Sequence, residues 1–416
     1  MLRSKTASVR FIFITIFLDA LGIGLLIPIL PDLIRRFSAD PAAVAKYFGY
    51  FISSYALMQF LASPVLGSLS DKFGRRPVLL ISLLGAGLDY LVMAFSPTLL
   101  VLFIGRIISG LTGASFTVAS AYMADISNDE NRSVNFGMIG AAFGLGFIVG
   151  PALGGLLGAS HHTLPFLAAA LLNLLNFAFG WLILPESLPE SSRREIVWRR
   201  LNPFSSLGRI LKPSNILLLI WIYIFLGLAG HVHPSNWTLY TELKFRWTPF
   251  EVGLSLSFVG LLMAAAQGGL TRVVIPKLGE YRSLFWGLVL YILTFFAFAF
   301  APAGWMMYVI MVLSSVAGVA PPALQSLITK HTPSNEQGEL QGTLVSLMSL
   351  SAIISPVIYA ELFAHFTRAD ADPYFPGAAY VCAGLFSVIA GILLLARGRQ
   401  STDDAPVPTV IRGPGH

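Results

Sequence analysis

Gly67-Ser68-Leu69-Ser70-Asp71-Lys72-Phe73-Gly74-Arg75-Arg76-Pro77 separates two apolar runs, about 47–69 and 77–96. Each run is long enough for a helix to cross the hydrocarbon core, which takes roughly 20 residues. Gly74 permits a tight turn and Gly67 lets helices approach closely. Asp71 is suited to accept hydrogen bonds at a helix N-terminus, where the dipole favours an anion. Lys72, Arg75 and Arg76 place three cations in one short loop, the mark of the cytoplasmic face of a membrane protein.

The rest of the chain agrees. Of 416 residues, 55% are apolar and only 12% charged, against about 25% charged in an ordinary soluble protein. Mean hydropathy is +0.74. Too little polar side chain is present to cover a water-facing surface, which excludes a soluble enzyme, a disordered chain and a nucleic-acid-binding domain. The one cysteine, Cys382, lies in an apolar run, so no intrachain disulfide or Cys-based metal site is expected. The first apolar stretch, Phe11 to Leu33, is too long for a signal-peptide core and contains Asp19, so it reads as a retained span.

Twelve candidate spans follow: 10–32, 47–69, 77–96, 98–121, 134–158, 164–184, 215–233, 250–271, 283–302, 305–329, 339–363 and 376–396. The long connection 185–214 divides them into six-helix halves, 1–184 and 215–398, and the polar tail 399–416 is expected to be disordered and cytoplasmic. With the N-terminus inside, twenty of the 27 Lys and Arg fall on cytoplasmic segments and six on outer loops. Both termini are therefore expected in the cytoplasm, and the net charge of +6 is a topology signal, not a call for an acidic partner. Sliding the chain by 205 residues superposes Gly22 on Gly227, Lys72 on Lys277, Gly74 on Gly279, Gly113 on Gly318, Gly137 on Gly342 and Pro151 on Pro356. These coincidences suggest two parallel repeats.

The 67–77 loop is very similar to the signature of the major facilitator superfamily. Span 1 holds Asp19, Gly22, Gly24, Pro28 and Pro31, and span 4 holds Arg106, Gly110 and Gly113. Span 5 holds Gly146, Gly150, Pro151, Gly154 and Gly155; in it Gly146, Gly150, Gly154 and Gly158 recur every four residues as a stripe without side chains, suited to close packing, and Pro151 is able to bend the helix. These resemble the motifs of the twelve-span drug:proton antiporter branch. Tyr55 to Gln59, Asp89-Tyr90, Tyr122 to Asp125, Pro234 to Glu242, Pro322 to Gln325 and Gln337 to Gly342 are similar to the bacterial tetracycline/proton antiporters. The resemblance implies an all-α membrane protein, twelve transmembrane helices in two pseudo-symmetric six-helix bundles, placed in the cell inner membrane. It implies a gate in which Asp71 and Arg75 form a charge network with Asp125, helped by Gly67, Gly74 and Arg76, and a span-5 contact that moves. Two positions depart from the pattern: Tyr291 stands where the family has a carboxylate, and Met263 where it has a histidine.

Three ionisable residues lie deep in spans: Asp19, Asp89 and Arg106. A charge at mid-bilayer costs ~2.5–3.5 kcal/mol even on lenient scales, and so marks a pathway or a pair. Their partners at the 205 offset are Ile224, Thr294 and Met311, so proton handling is assigned to the N-terminal half. Asp89, with no embedded cation on its own helix, is the expected carrier, and Asp19 with Arg106, if the two face each other, the switch; helix rotation leaves an exchange of roles open. Asn236, Trp237, Gln267 and Tyr291, with Gln59, Met263 and Gln325, are the candidate substrate-cavity residues.

The leading function is proton-driven export of an amphipathic or aromatic small molecule. A proton-coupled symporter or facilitator for a nutrient is the alternative, and a membrane receptor or intramembrane enzyme a further class. An enzyme needs a nucleophile–base pair or metal cluster at depth, and none is visible: His231 and His233 read as near a helix end, His161 and His162 as a loop. The expected partners are a small molecule, protons and the bilayer, with no nucleic acid, no cofactor beyond the proton motive force, and a monomeric chain.

Overall fold

The computed structural model describes residues 2–113, 115–128, 131–196, 202–204, 216–333 and 336–399. Twelve helices among them are long and apolar enough to cross a membrane: α1 Ser8–Leu26, α2 Pro41–Phe73, α3 Arg75–Phe95, α4 Leu99–Ile126, α5 Val134–Ser160, α6 Leu164–Ile183, α7 Leu217–Phe245, α8 Pro249–Leu278, α9 Glu280–Phe300, α10 Gly304–Lys330, α11 Glu339–Phe366 and α12 Ala378–Arg397. Residues 400–416 of the expected tail and half of the expected linker lie outside the described residues.

Several helices run past the expected apolar ends because their caps lie further out. Asp40 accepts from the backbone N–H groups of Ala42 and Ala43 with Pro41 opening α2, and Thr248 and Glu251 form a capping box with Pro249 opening α8. At 33 residues, α2 is about 50 Å long and overhangs a ~30 Å hydrocarbon core. The seventh span differs most. The apolar run suggests an end near 233. The helix instead breaks at His231 and resumes as Val232–Phe245. Pro234 falls in the first turn of that second segment, where its missing N–H is not needed.

Breaks recur at related places. A short helix Leu30–Arg35 follows α1 after Pro28. The regular helix of α4 stops at Thr112 before Gly113, and that of α10 at Ala317 before Gly318. The 205-residue repeat is thus written in the backbone as well as in the residues. Gly74 and Gly279 both take positive φ, 104° and 80°, at the α2–α3 and α8–α9 turns. α8 also contains a π-helical turn, Ala266–Leu270.

The glycine stripe of α5 proves to have two faces. A Cβ on Gly146, Gly150 or Gly154 would overlap the carbonyls of Phe17, Leu21 or Leu25, so this face packs on α1 within its own half. Gly155 and Pro151 instead meet Pro249 and Gly253 of α8, across the halves. A second cross-half seam joins α2 to α11. Gly49 lies against Pro356 and Ala360, and the Ser53 hydroxyl donates to the Ile353 carbonyl at 2.7 Å. Gly67 is not a close-approach site, since a Cβ there meets nothing within 4 Å.

These seams gather at the end of the bundle opposite the 67–77 turn. Ion pairs join the halves there: Arg35 with Glu242 at 2.7 Å and Lys46 with Glu361 at 2.9 Å. Both partners of the second pair are well exposed, so it contributes at most ~1 kcal/mol. The Glu242 carboxylate is nearly buried and the stronger latch. Burial alone would lower the Arg35 pKa, but Glu242 and Asp32 outweigh it and raise that pKa above its ordinary value.

Because backbone fills the space beside Gly150, Gly150→Val is expected to cost about 1–3 kcal/mol by overpacking. Gly137→Ala, in open space, is expected to be neutral or stabilising. Thermal unfolding of the detergent-purified variants measures both.

Candidate substrate and proton site

The breaks in the helices surround a cavity with two lobes. The N-terminal lobe, about 850 Å³, is lined by Asp19, Tyr55, Gln59, Tyr90, Arg106 and Ser115 among others, and by Gly342 to Ala352 of α11. Asn202 and Pro203 of the 185–214 connection also line it. The C-terminal lobe, about 620 Å³, is walled by Tyr223, Met263, Gln267, Tyr291, Phe295 and Gln325. His231 and Met348 line both lobes and mark their junction.

Geometry corrects the expected pairing of the embedded charges. Arg106 does not hold Asp19; its Nη1 donates to Asp89 Oδ2 at 3.2 Å. Both side chains are buried, at 9% and 2% exposed. The guanidinium also stacks on aromatic faces, 4.1 Å from the Tyr55 ring centroid and 5.1 Å from that of Phe51. Asp19 sits in the cavity wall, half-buried. Among the described residues, no basic side chain forms an ion pair with it. Gln59 braces the break in α4, donating to the Gly113 carbonyl at 2.9 Å.

The candidate cavity residues of the C-terminal half divide. Met263, Gln267, Tyr291 and Gln325 line the lobe, with Tyr291 stacked on Phe295 at 5.6 Å. Asn236 and Trp237 do not. They are fully buried in the second segment of α7. Trp237 donates to the Ser255 hydroxyl at 2.9 Å and packs with His233, Phe298 and Tyr380. His231 and His233, read as near a helix end, are at mid-span because α7 continues to Phe245.

At the 67–77 turn, Arg75 reaches Asp71 through Nη1 and Asp125 through Nε at 3.1 Å. All three belong to one half, and the network stands here while the halves are joined at the opposite end. The anion at the N-terminus of α3 is not Asp71, which lies in the last turn of α2. It is Glu186, whose carboxylate accepts from the backbone N–H groups of Arg75 and Arg76 at 2.8 and 3.1 Å. Gly74 is needed there, since a Cβ would collide with that carboxylate. Arg76 donates to the Trp181 carbonyl. The second half repeats the arrangement with the charges exchanged. Glu280 and Lys330, the 205-offset partners of Arg75 and Asp125, pair at 2.6 Å.

The Major Facilitator Superfamily profile matches residues 12–356 and 277–410. The chain belongs to this family. It is 43% identical over 350 residues to the Tetracycline resistance protein, class C, of Escherichia coli, covering 84% of this chain and 88% of that protein. It is 39% identical over 362 residues to the class B protein of Escherichia coli, covering 86% and 89%. In fold it is similar to the crystal structure of a bacterial homologue of the human lysosomal transporter Spinster, with a TM-score of 0.78 at 14% identity over 98% and 99% of the chains. The D-xylose-proton symporter superposes with a TM-score of 0.72 at 18% identity, over 94% and 97%. This facilitator chain is a multi-pass membrane protein, and among its described residues no group of His, Cys, Asp and Glu is placed to hold a metal ion.

Removing one partner of a buried pair leaves an uncompensated charge. Arg106→Ala is expected to destabilise the detergent-solubilised protein by about 3–5 kcal/mol, whereas Asp89→Leu with Arg106→Leu recovers most of that loss. The melting midpoints of the three proteins decide it.

Proposed function

We propose that this facilitator is a proton-coupled exporter of amphipathic aromatic small molecules. It works by alternating access as a monomer in the inner membrane, with the 67–77 turn and both termini facing the cytoplasm. The observation that carries the reading is Asp19, a carboxylate without a cation in the wall of a cavity between the halves. Such a group is free to gain and lose a proton as the cavity changes face. Asp89 is paired with Arg106 inside the N-terminal half and serves as the fixed element against which state is sensed. This exchanges the roles first expected of the two acids.

The family relatives are named for tetracycline resistance, and export of an antibiotic-like compound is the reading nearest to them. Specificity is read from the C-terminal lobe. With Tyr291 and Met263 in its wall, and Tyr223 and Phe295 beside them, that lobe offers aromatic and thioether surface and no carboxylate. Such a surface suits flat, weakly polar rings better than a cationic metal chelate. The Asp71–Arg75–Asp125 network, together with Glu186, keeps the α2–α3 turn rigid in the state open to the cytoplasm.

In inverted vesicles, Asp19→Asn is expected to abolish proton-driven accumulation of a dye such as ethidium while downhill exchange continues. Substrate-induced proton release from the detergent-solubilised protein should vanish in that variant. Undiminished release from Asp19→Asn would remove Asp19 as the carrier.

The same vesicles are expected to accumulate magnesium–tetracycline poorly relative to ethidium. Strong magnesium-dependent tetracycline export would show that Tyr291 and Met263 do not set specificity.

A further inference from the structure

We infer that His231 is the specificity-determining residue of the cavity, selecting aromatic molecules that present a hydrogen-bond donor, an N–H or O–H, at the edge of the ring system. The inference rests on the exporter reading and adds the polar half of the recognition.

The argument begins with the break in α7. The regular helix ends at Gly230 and restarts at Val232, so His231 stands at the middle of a 29-residue span, the 15th from Leu217. Its side chain forms part of the wall of both lobes. A molecule lying across the junction passes this ring.

Chemistry then fixes what the ring offers. His231 Nδ1 lies 2.7 Å from the Gly227 carbonyl oxygen. A carbonyl only accepts, so the proton of the neutral ring is on Nδ1 and Nε2 keeps its lone pair. Among the described residues no protein group bonds to Nε2, and it is not among the buried polar atoms left without a partner. That lone pair, on a residue of the cavity wall, is left for cavity water or for a donor brought by the cargo.

The surroundings leave this task to His231. In the C-terminal lobe, no Asp, Glu, Lys or Arg lines the wall. Tyr223 and Tyr291 are hydroxyl-bearing rings, and Gln267 and Gln325 bring amides that both donate and accept, so none of these demands a donor. In the N-terminal lobe the titratable and charged groups on the wall are Asp19, Tyr55, Tyr90 and Arg106, of which Arg106 is engaged with Asp89. Asp19 attracts positive charge, and His231 adds a directional requirement which charge alone does not impose.

Ethidium tests the requirement cleanly. Its ring nitrogen is quaternary and has no N–H, so its two exocyclic amines are its donors, and its tetra-N-methyl analogue has none. Fluorescence titration of the detergent-purified full chain, without a gradient, gives the affinity for each. The native protein is expected to prefer ethidium by about two- to tenfold, the range of one neutral hydrogen bond. His231→Leu is expected to bring that ratio close to one, and His231→Gln, whose amide oxygen accepts, to restore much of it. Equal affinities in the native protein, no binding of either dye, or an unchanged ratio in His231→Leu would overturn the inference. Proton-driven ethidium uptake into vesicles is measured separately. Discrimination without uptake leaves His231 standing and sinks the exporter reading; uptake without discrimination does the reverse.

Discussion

A bilayer gives the backbone no hydrogen-bonding partner, so at membrane depth a helix is interrupted only where protein or cavity water takes over the freed groups. This constraint organises the molecule. The interruptions at Gly113, His231 and Gly318, and the π turn at Ala266–Leu270, place residues of each on the cavity wall. Gln59 shows how the freed groups are met: its amide takes the carbonyl of Gly113, and His231 takes that of Gly227. Side chains that brace the irregular backbone are thus also part of the cavity wall. The site follows from the breaks.

The same medium explains why the halves meet through glycine and proline. Lipid tails are as apolar as leucine, so hydrophobicity alone does not draw helices together, and close van der Waals contact must. Gly49 on α2 and Gly155 on α5 let backbone meet backbone across the halves. The seams are reinforced by few strong polar contacts, chiefly Arg35 with Glu242 and Ser53 with Ile353. An interface of shape without deep ionic locks is one that separates without stranding buried charge. The ion pair buried on both sides, Arg106 with Asp89, lies inside one half and need not part when the halves move.

Much of this was legible in the sequence. Hydropathy gave twelve helices, because the membrane forces apolar runs of set length. The Asp89–Arg106 pair was also legible in principle. α3 and α4 are neighbours joined at 96–98, and Asp89 stands eight residues before Pro97 while Arg106 stands nine after it. At about 1.5 Å per residue the two reach the same depth on an antiparallel hairpin. Counting from the turn finds the pair; counting along each helix separately does not. Glu186 was hidden because a helix cap drawn from 111 residues away leaves no local pattern.

The repeat adds a last step. Comparing residue identities at the 205 offset finds glycines and prolines, since backbone geometry has few solutions and both halves use the same ones. It misses Arg75–Asp125 against Glu280–Lys330, where the geometry is kept and the signs are exchanged. An ion pair can hold the same two elements with either sign on either side, so a comparison of identities does not find it. The embedded charges obey the opposite rule. Asp89, Arg106 and Asp19 face Thr294, Met311 and Ile224 at the offset, because a charge at mid-membrane costs energy wherever it is not used. Where a charge is tied into a turn, both halves keep one. At the positions offset from Asp19, Asp89 and Arg106 the other half carries no charge, and its lobe is walled by aromatic rings, the Met263 thioether and His231.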